Sequence, residues 1–178
     1  ILPKSIVQAA VLKRGNSNDM LVFKDNEEFL TQKDAVIATG SLRRRAQWLH
    51  RHPTHQVVGL RGNVQTRLDK LKNNDWNAAI FAAAGLERLK LKPDGAFSLD
   101  WMVPAPAQGV VVIAALAESL EILEVCKELN DEETAMLAKV ERDFLSILEG
   151  GCSAPIGALA YIKEEEVHFQ GVLLNLDG

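Results

Sequence analysis

AVIATGSLRRRAQWLHRHPTHQVVGLRGNVQTRLDKL, residues 35–71, holds one pattern twice. A short β-branched run, Ala35–Thr39, breaks at Gly40-Ser41. Helical spacing follows from Leu42 to His52 (Leu42, Ala46, Leu49), with Ser41 as its N-cap. The second copy is strand-like over Gln56–Leu60, turns at Arg61-Gly62, and starts a helix at Asn63 that runs through Leu68 and Leu71. A third unit comes next, with a buried strand over Asn77–Ala82 and a short helix over Ala84–Leu89. Strands alternating with helices at this spacing predict an α/β fold with a largely parallel, doubly wound sheet.

Beyond Pro93-Asp94-Gly95 the order changes. Val103-Pro-Ala-Pro106 reads as an extended linker, because each proline keeps its predecessor out of the helical region. Gly109–Ala114 is one apolar run, predicted as a strand buried on both faces. Leu116–Leu129 predicts a helix, and Asn130 opens another with Glu133 placed as in a capping box. Met136, Val140, Phe144 and Leu148, joined by Leu137 and Leu145, predict its buried stripe. Gly150-Gly151 ends it. Ala158–Ile162 and Val167–Leu174 pair as a hairpin across Lys163–Glu166.

With 178 residues and 47% hydrophobic content, the chain can bury a sizeable core. No apolar run approaches the ~20 residues that span a bilayer, and no leader pattern is visible. Two cysteines, Cys126 and Cys152, are too few for a disulfide framework, so a reducing cytoplasm is the expected setting. The chain opens on Ile-Leu-Pro and closes on Leu-Asn-Leu-Asp-Gly, as a piece of a longer protein would. Net charge is −4, unevenly spread. Ser41–Lys72 carries eight Lys/Arg and three His against one acid, Asp69, whereas Glu118–Glu149 carries ten acids against three bases. With a pI near 5.6 the basic cluster is local, which suits a small polyanion better than nucleic acid.

In each of the first two units a strand runs through a glycine turn into a helix N-terminus, where free N–H groups and the helix dipole attract anions. Arg43, Arg44, Arg61 and Arg67 all start near that edge. Cations at a helix start oppose the dipole, and arginine suits bidentate carboxylate recognition. A solvated basic face is the alternative for any one of them. Arg45 is expected on the surface, and His50, His52 and His55 are expected exposed, without a metal role. Cys126 reads as a helix-core thiol. Cys152 lies in GGCSAPIGA, residues 150–158, past a helix end on a glycine-rich loop where a nucleophilic thiol could meet a carbon electrophile.

Ala38–Gln47, Leu60–Leu71, Ala82–Leu89, Pro104–Gly109 and Glu141–Ala158 occur in an order and spacing that resemble the porphobilinogen deaminase (hydroxymethylbilane synthase) family along essentially the whole chain. The resemblance implies two doubly wound domains like type II periplasmic binding proteins, plus a small α+β third domain. Its boundaries would be 1–16 and 105–129 for the remnant of domain 1, 17–104 for domain 2, and 130–178 for a truncated domain 3.

The implied activity is a transferase of porphyrin, tetrapyrrole and heme biosynthesis. It deaminates and polymerises four porphobilinogen molecules into hydroxymethylbilane on a dipyrromethane cofactor held by a thioether to Cys152. Arg43, Arg44, Ser41 and Thr39 match the family's cofactor contacts; Arg61, Arg67, Arg88 and Gln108 match its substrate contacts. The catalytic Asp is expected upstream of Leu2, so these 178 residues alone would be inactive. Gly40 stands where the family often has Ser, and Ala107 where it often has Gly. The resemblance further implies a cytoplasmic monomer with porphobilinogen as its partner and no nucleic acid, membrane or metal. The rival reading is a non-catalytic small-anion-binding module on a periplasmic-binding-protein-like fold.

Overall fold

Alternation along single strands puts the main core on two faces of one sheet. The structure is a computed structural model that describes residues 3–91, 93–148 and 154–178. Its central sheet contains β2 (Asp19–Phe23), β3 (Val36–Ala38), β4 (Gln56–Val58), β5 (Ala78–Ala82) and β6 (Ala96–Ser98), in the order β4-β3-β5-β2-β6. Leu21, Ile37, Ala78 and Ile80 enter one buried cluster; their immediate neighbours Val22, Ala38, Ala79 and Phe81 enter the other. Successive strand side chains point to opposite faces, so a strand covered on both sides must be apolar throughout. Trp48, on α1 (Leu42–Arg51), fills the first cluster. Leu71 on α2 (Val64–Asn73) and Leu86 on α3 (Ala83–Arg88) fill the second. Losing a fully buried Trp such as Trp48 costs about 3–5 kcal/mol.

The sheet is mixed rather than largely parallel. β3 runs parallel to β4 and β5, but β2 is antiparallel to β5 and β6. The α/β reading holds for the repeated units, and β2 and β6, which lie outside them, supply the antiparallel pairings.

Two smaller sheets flank it. β1 (Ile6–Val11) pairs antiparallel with β7 (Val112–Leu116), against which α4 (Leu120–Lys127) packs. The run Gly109–Ala114, expected to be buried on both faces, instead exposes Val111 and Val112, because β1 is the sole strand partner of β7 among the described residues. The third sheet is the hairpin of β8 (Ile156–Lys163) and β9 (Glu166–Leu173), packed on α5 (Glu132–Ile147).

Helix α5 corrects two expectations. Its N-cap is Asp131, which accepts from the Thr134 N–H; Asn130 instead accepts from the Val11 N–H at 2.8 Å. The buried stripe is turned round the helix: Thr134, Leu137, Ala138 and Glu141 face inward, while Met136, Val140 and Leu148 are exposed. Glu141 is fully buried. Its Oε1 accepts from Arg14 Nη1 (2.5 Å) and Ala160 N (2.8 Å), and its Oε2 from Arg14 Nη2 (3.1 Å) and Ala107 N (2.6 Å). Ala107 adopts a left-handed φ of 61°, a conformation that favours glycine.

Two of the three histidines depart from expectation, while His50 is exposed as read. His55 is buried: Trp48 Nε1–H donates to its Nδ1 at 3.3 Å, so its Nε2–H donates to the Gln32 carbonyl at 2.9 Å. His52 stacks between Trp48 (4.6 Å) and His55 (4.8 Å), and Arg51 lies 4.9 Å from the Trp101 ring. Burial, then His55 and Arg51, push the His52 imidazole below its ordinary pKa.

Two stability measurements follow from these contacts. In the full-length protein, Glu141→Gln leaves Arg14 without its counter-ion. Removing one partner of a buried pair costs ~3–5 kcal/mol, so the urea midpoint should drop sharply, while exposed Glu128→Gln should not move it. Equal midpoints would show the pair to be dispensable. For His52, the unfolded chain takes up a proton near its ordinary pKa of about 6.5 before the folded chain does. Its contribution is therefore complete above that pKa and is lost as pH falls from it through the lower folded-state pKa. The urea midpoint should fall between about pH 7.5 and 5.5, and His52→Gln should flatten that slope; an unchanged slope would sink the assignment.

A candidate anion site at the carboxyl edge of the central sheet

Because β3, β4 and β5 are parallel, they deliver the starts of α1, α2 and α3 to one edge. Ser41 caps α1 by accepting from the Arg44 N–H (3.4 Å), and Thr39 Oγ1 accepts from the Ser41 N–H (3.2 Å). Asn63 caps α2 by accepting from the Thr66 N–H at 2.8 Å. The two turns lie close together: a Cβ at Gly40 would sit 2.5 Å from the Leu60 carbonyl oxygen. Glycine there is a packing requirement. Gly62 has a φ of +124°, which also excludes a side chain without strain.

Arginines from this edge fall into two groups. Arg61 and Arg88 are exposed, and neither guanidinium has a hydrogen bond among the described residues. Arg67 is half-buried, with Nε donating to the Gly62 carbonyl at 2.7 Å. Arg88 lies in the last turn of α3, farther from the helix start than the others.

Arg43 and Arg44 are both buried, which excludes the solvated basic face as the reading of these two. Arg44 donates from Nε to Asp19 Oδ1 (3.0 Å) and from Nη1 to the Ile80 carbonyl (3.2 Å), with Nη2 2.8 Å from Asp19 Oδ1. Arg43 donates from Nη1 to the Val103 carbonyl (2.7 Å) and from Nη2 to Gln108 Oε1 (3.3 Å). Its Nη2 also lies 2.7 Å from Asp19 Oδ2, a close ionic contact without hydrogen-bond alignment, and neither Oδ2 nor Arg43 Nε has a hydrogen-bond partner among the described residues. Burial pulls the Arg43 pKa below its ordinary value, Asp19 opposes the shift and Arg44 adds to it. A guanidinium remains a cation regardless.

Gln108 donates from Nε2 to Asp19 Oδ1 (2.9 Å) and to the Ser17 carbonyl (2.7 Å), while its own carbonyl accepts from Arg14 Nε at 3.0 Å. It therefore stands between the Asp19 and Glu141 clusters. Arg45 is half-buried rather than a plain surface residue, donating to the Val57 (3.0 Å) and Leu176 (3.3 Å) carbonyls. Asp19 escaped the sequence reading, since it precedes an apolar run and is distant in sequence from the arginines it neutralises. Its one signal is an acid opening an otherwise apolar strand. Cys152 lies outside the described residues; Cys126 is buried on α4. Among the described residues no three His, Cys, Asp or Glu side chains gather as a metal site requires, and no helix is long and apolar enough to cross a membrane.

Residues 1–124 match the family model described as porphobilinogen deaminase, dipyromethane cofactor binding domain, and residues 135–178 match porphobilinogen deaminase, C-terminal domain. A porphobilinogen deaminase from Campylobacter jejuni is 42% identical over 99% of this chain and 59% of its own length. That of Campylobacter concisus is 39% identical over 100% and 59%, and that of Campylobacter curvus 40% identical over 97% and 57%. The chain thus spans about 59% of the length of such relatives. Among solved structures, the periplasmic VFT2 domain of Bordetella pertussis BvgS is similar at 15% identity over 77% of this chain and 61% of that one, with a TM-score of 0.42. With family models matching over most of its length, the chain belongs to the porphobilinogen deaminase family.

Proposed function

We propose that the chain forms the cofactor- and substrate-holding part of a transferase that deaminates porphobilinogen and joins four of them into hydroxymethylbilane. The observation that supports this reading is that Arg43 and Arg44 in the first turn of α1, Arg61 before α2 and Arg67 within it start from one edge of the sheet, where buried Asp19 meets Arg43 and Arg44. A dipyrromethane carries an acetate and a propionate on each of two rings, and those residues suit it in charge. The unpartnered Arg43 Nε supplies a spare donor beneath the edge.

In this reading Thr39, Ser41, Arg43 and Arg44 hold the cofactor, and Arg61, Arg67, Arg88 and Gln108 hold substrate. Cys152 makes the thioether. The bound group supplies a nucleophilic pyrrole carbon on which the chain grows. The protein's own share is electrostatic: guanidiniums and helix N–H groups fix carboxylates at set positions, so that each reacting ring is oriented before bond formation. Arg61 and Arg88 can swing to meet successive carboxylates. Arg43 and Arg44 act from below as fixed charges.

We further propose a cytoplasmic monomer that acts on free porphobilinogen with neither nucleic acid nor membrane. Residues 1–16 and 105–129 would belong to a first domain, 17–104 to a second and 130–178 to a third; the pairing of β1 with β7 and the separate β8–β9 hairpin support that division.

Peptide mapping of active full-length protein should place a mass of two linked pyrroles on Cys152, with buried Cys126 unmodified. An adduct on Cys126, or none on active protein, would overturn the assignment, and an anion-binding module would carry none. A second measurement separates the arginines. Arg61→Leu should lower kcat/KM for porphobilinogen on the order of 30-fold or more, since a desolvated carboxylate without its partner costs at least ~2 kcal/mol. Its melting temperature should stay put, because Arg61 is exposed. Arg44→Leu should lower both quantities, and Arg45→Leu should keep activity within a few-fold, on the order of the worth of a weak hydrogen bond. Equal small effects at Arg61 and Arg45 would leave the cluster as mere surface charge.

A further inference from the structure

Asp19 sits at the start of β2 with no exposed surface, and its two oxygens are used unequally. Oδ1 takes Arg44 Nε, Arg44 Nη2 and Gln108 Nε2 at 3.0, 2.8 and 2.9 Å; Oδ2 has only the unaligned contact with Arg43. A structural ion pair needs one arginine per carboxylate. Here two guanidiniums meet one, so two positive charges and one negative leave a single positive charge at a site where Arg43 is 4% and Arg44 8% exposed.

A buried charge without a partner is costly, and so is a buried N–H without an acceptor. Arg43 shares its one counter-ion, Asp19, with Arg44, and its Nε has no acceptor among the described residues. The nearby carboxylate Glu141 does not correct the balance, because Arg14 already neutralises it. Gln108 fixes the arrangement by pointing its amide nitrogen at Asp19 and its oxygen at Arg43.

We propose that Asp19 is the positioning residue of the arginine pair: it holds Arg43 and Arg44 side by side and cancels one of their two charges, so that this part of the site takes one ligand carboxylate. The inference rests on the proposed function for the identity of the ligand, but not for the charge. Asp19 touches no reacting atom. It sets the direction of Arg44 through Oδ1 and, with Gln108, keeps Arg43 from following Arg44 onto the same oxygen. Without it the pair would repel, spread, and attract small anions indiscriminately.

The test uses full-length protein and inorganic sulfate, read as the shift of the thermal midpoint with sulfate concentration, which requires no turnover. Asp19→Asn keeps the shape, removes the negative charge and should tighten apparent sulfate affinity about tenfold or more. The same variant should lose about tenfold or more in kcat/KM for porphobilinogen at temperatures where it is fully folded. Asp19→Glu restores the charge one methylene out of place. It should return sulfate affinity to the wild-type value without returning kcat/KM, a split that a purely structural residue would not produce.

If Asp19→Asn does not fold, Asp19→Asn combined with Arg43→Gln restores the single positive charge and should fold. Unchanged sulfate affinity in Asp19→Asn, wild-type kcat/KM in that variant, or a double variant that also fails to fold would each overturn the proposal. A wild-type protein with no activity on porphobilinogen would sink the proposed function instead, while the sulfate result would still decide the role of Asp19.

Discussion

Two carboxylates without exposed surface, Asp19 and Glu141, dictate how the parts of this chain meet. Burying an anion is tolerable only where cations and N–H groups replace its water. Each therefore draws in partners from segments far apart in sequence. Asp19 collects Arg43 and Arg44 from α1, together with Gln108. Glu141 collects Arg14 from the stretch after β1, Ala107 from the turn before β7 and Ala160 from β8. Gln108 joins the two groups through its side chain on one side and its carbonyl on the other. All three sheets are thereby linked through one polar chain, a more specific connection than apolar packing provides.

That chain also resolves the conflict in α1. Arginines in its first turn oppose the helix dipole, an effect of roughly 0.3–1 kcal/mol per charge when exposed. The structure turns Arg43 and Arg44 inward onto Asp19, so one of their two charges is cancelled beneath the helix, while Ser41 caps its start. Arg61, in the turn before α2, remains exposed. The edge thus combines a buried, paired floor with an exposed rim.

The repeated strand, glycine turn and helix over residues 35–71 were legible because each depends on neighbours in sequence: Ser41 and Asn63 cap as read, and α1 and α2 begin where the caps demand. What was not legible depends on distant partners. Strand β2 exists because β5 and β6 flank it, and nothing local in Asp19–Phe23 shows that. The stripe of α5 was misplaced because hydropathy assigns the inside to Met136 and Val140, whereas Arg14 and two backbone N–H groups bring Glu141 in instead. His55 looked like a surface histidine until Trp48 and Gln32 satisfied both ring nitrogens. The arginine cluster was found by composition, but its inward orientation could not be, since the acid that turns it lies twenty-five residues from Arg44.

The linker before β7 is held on both sides. The Val103 carbonyl accepts from Arg43 Nη1 at 2.7 Å and Gln47 Nε2 at 2.8 Å, and the Val103 N–H returns a bond to Gln47 Oε1. On its other side, a Cβ at Gly157 would come within 2.7 Å of that same carbonyl oxygen, and Pro104 accepts from the Ala158 N–H. One short extended segment is thus pressed between the helix bearing the arginines and the strand that follows the Cys152 segment in sequence. Two prolines, Pro104 and Pro106, stiffen it. A displacement of the linker would carry Arg43 and β8 together, because neither side has room or spare bonds to slip. The distance between a fixed cation and the start of β8 is therefore set by backbone contacts, and it does not depend on how any single surface side chain is placed.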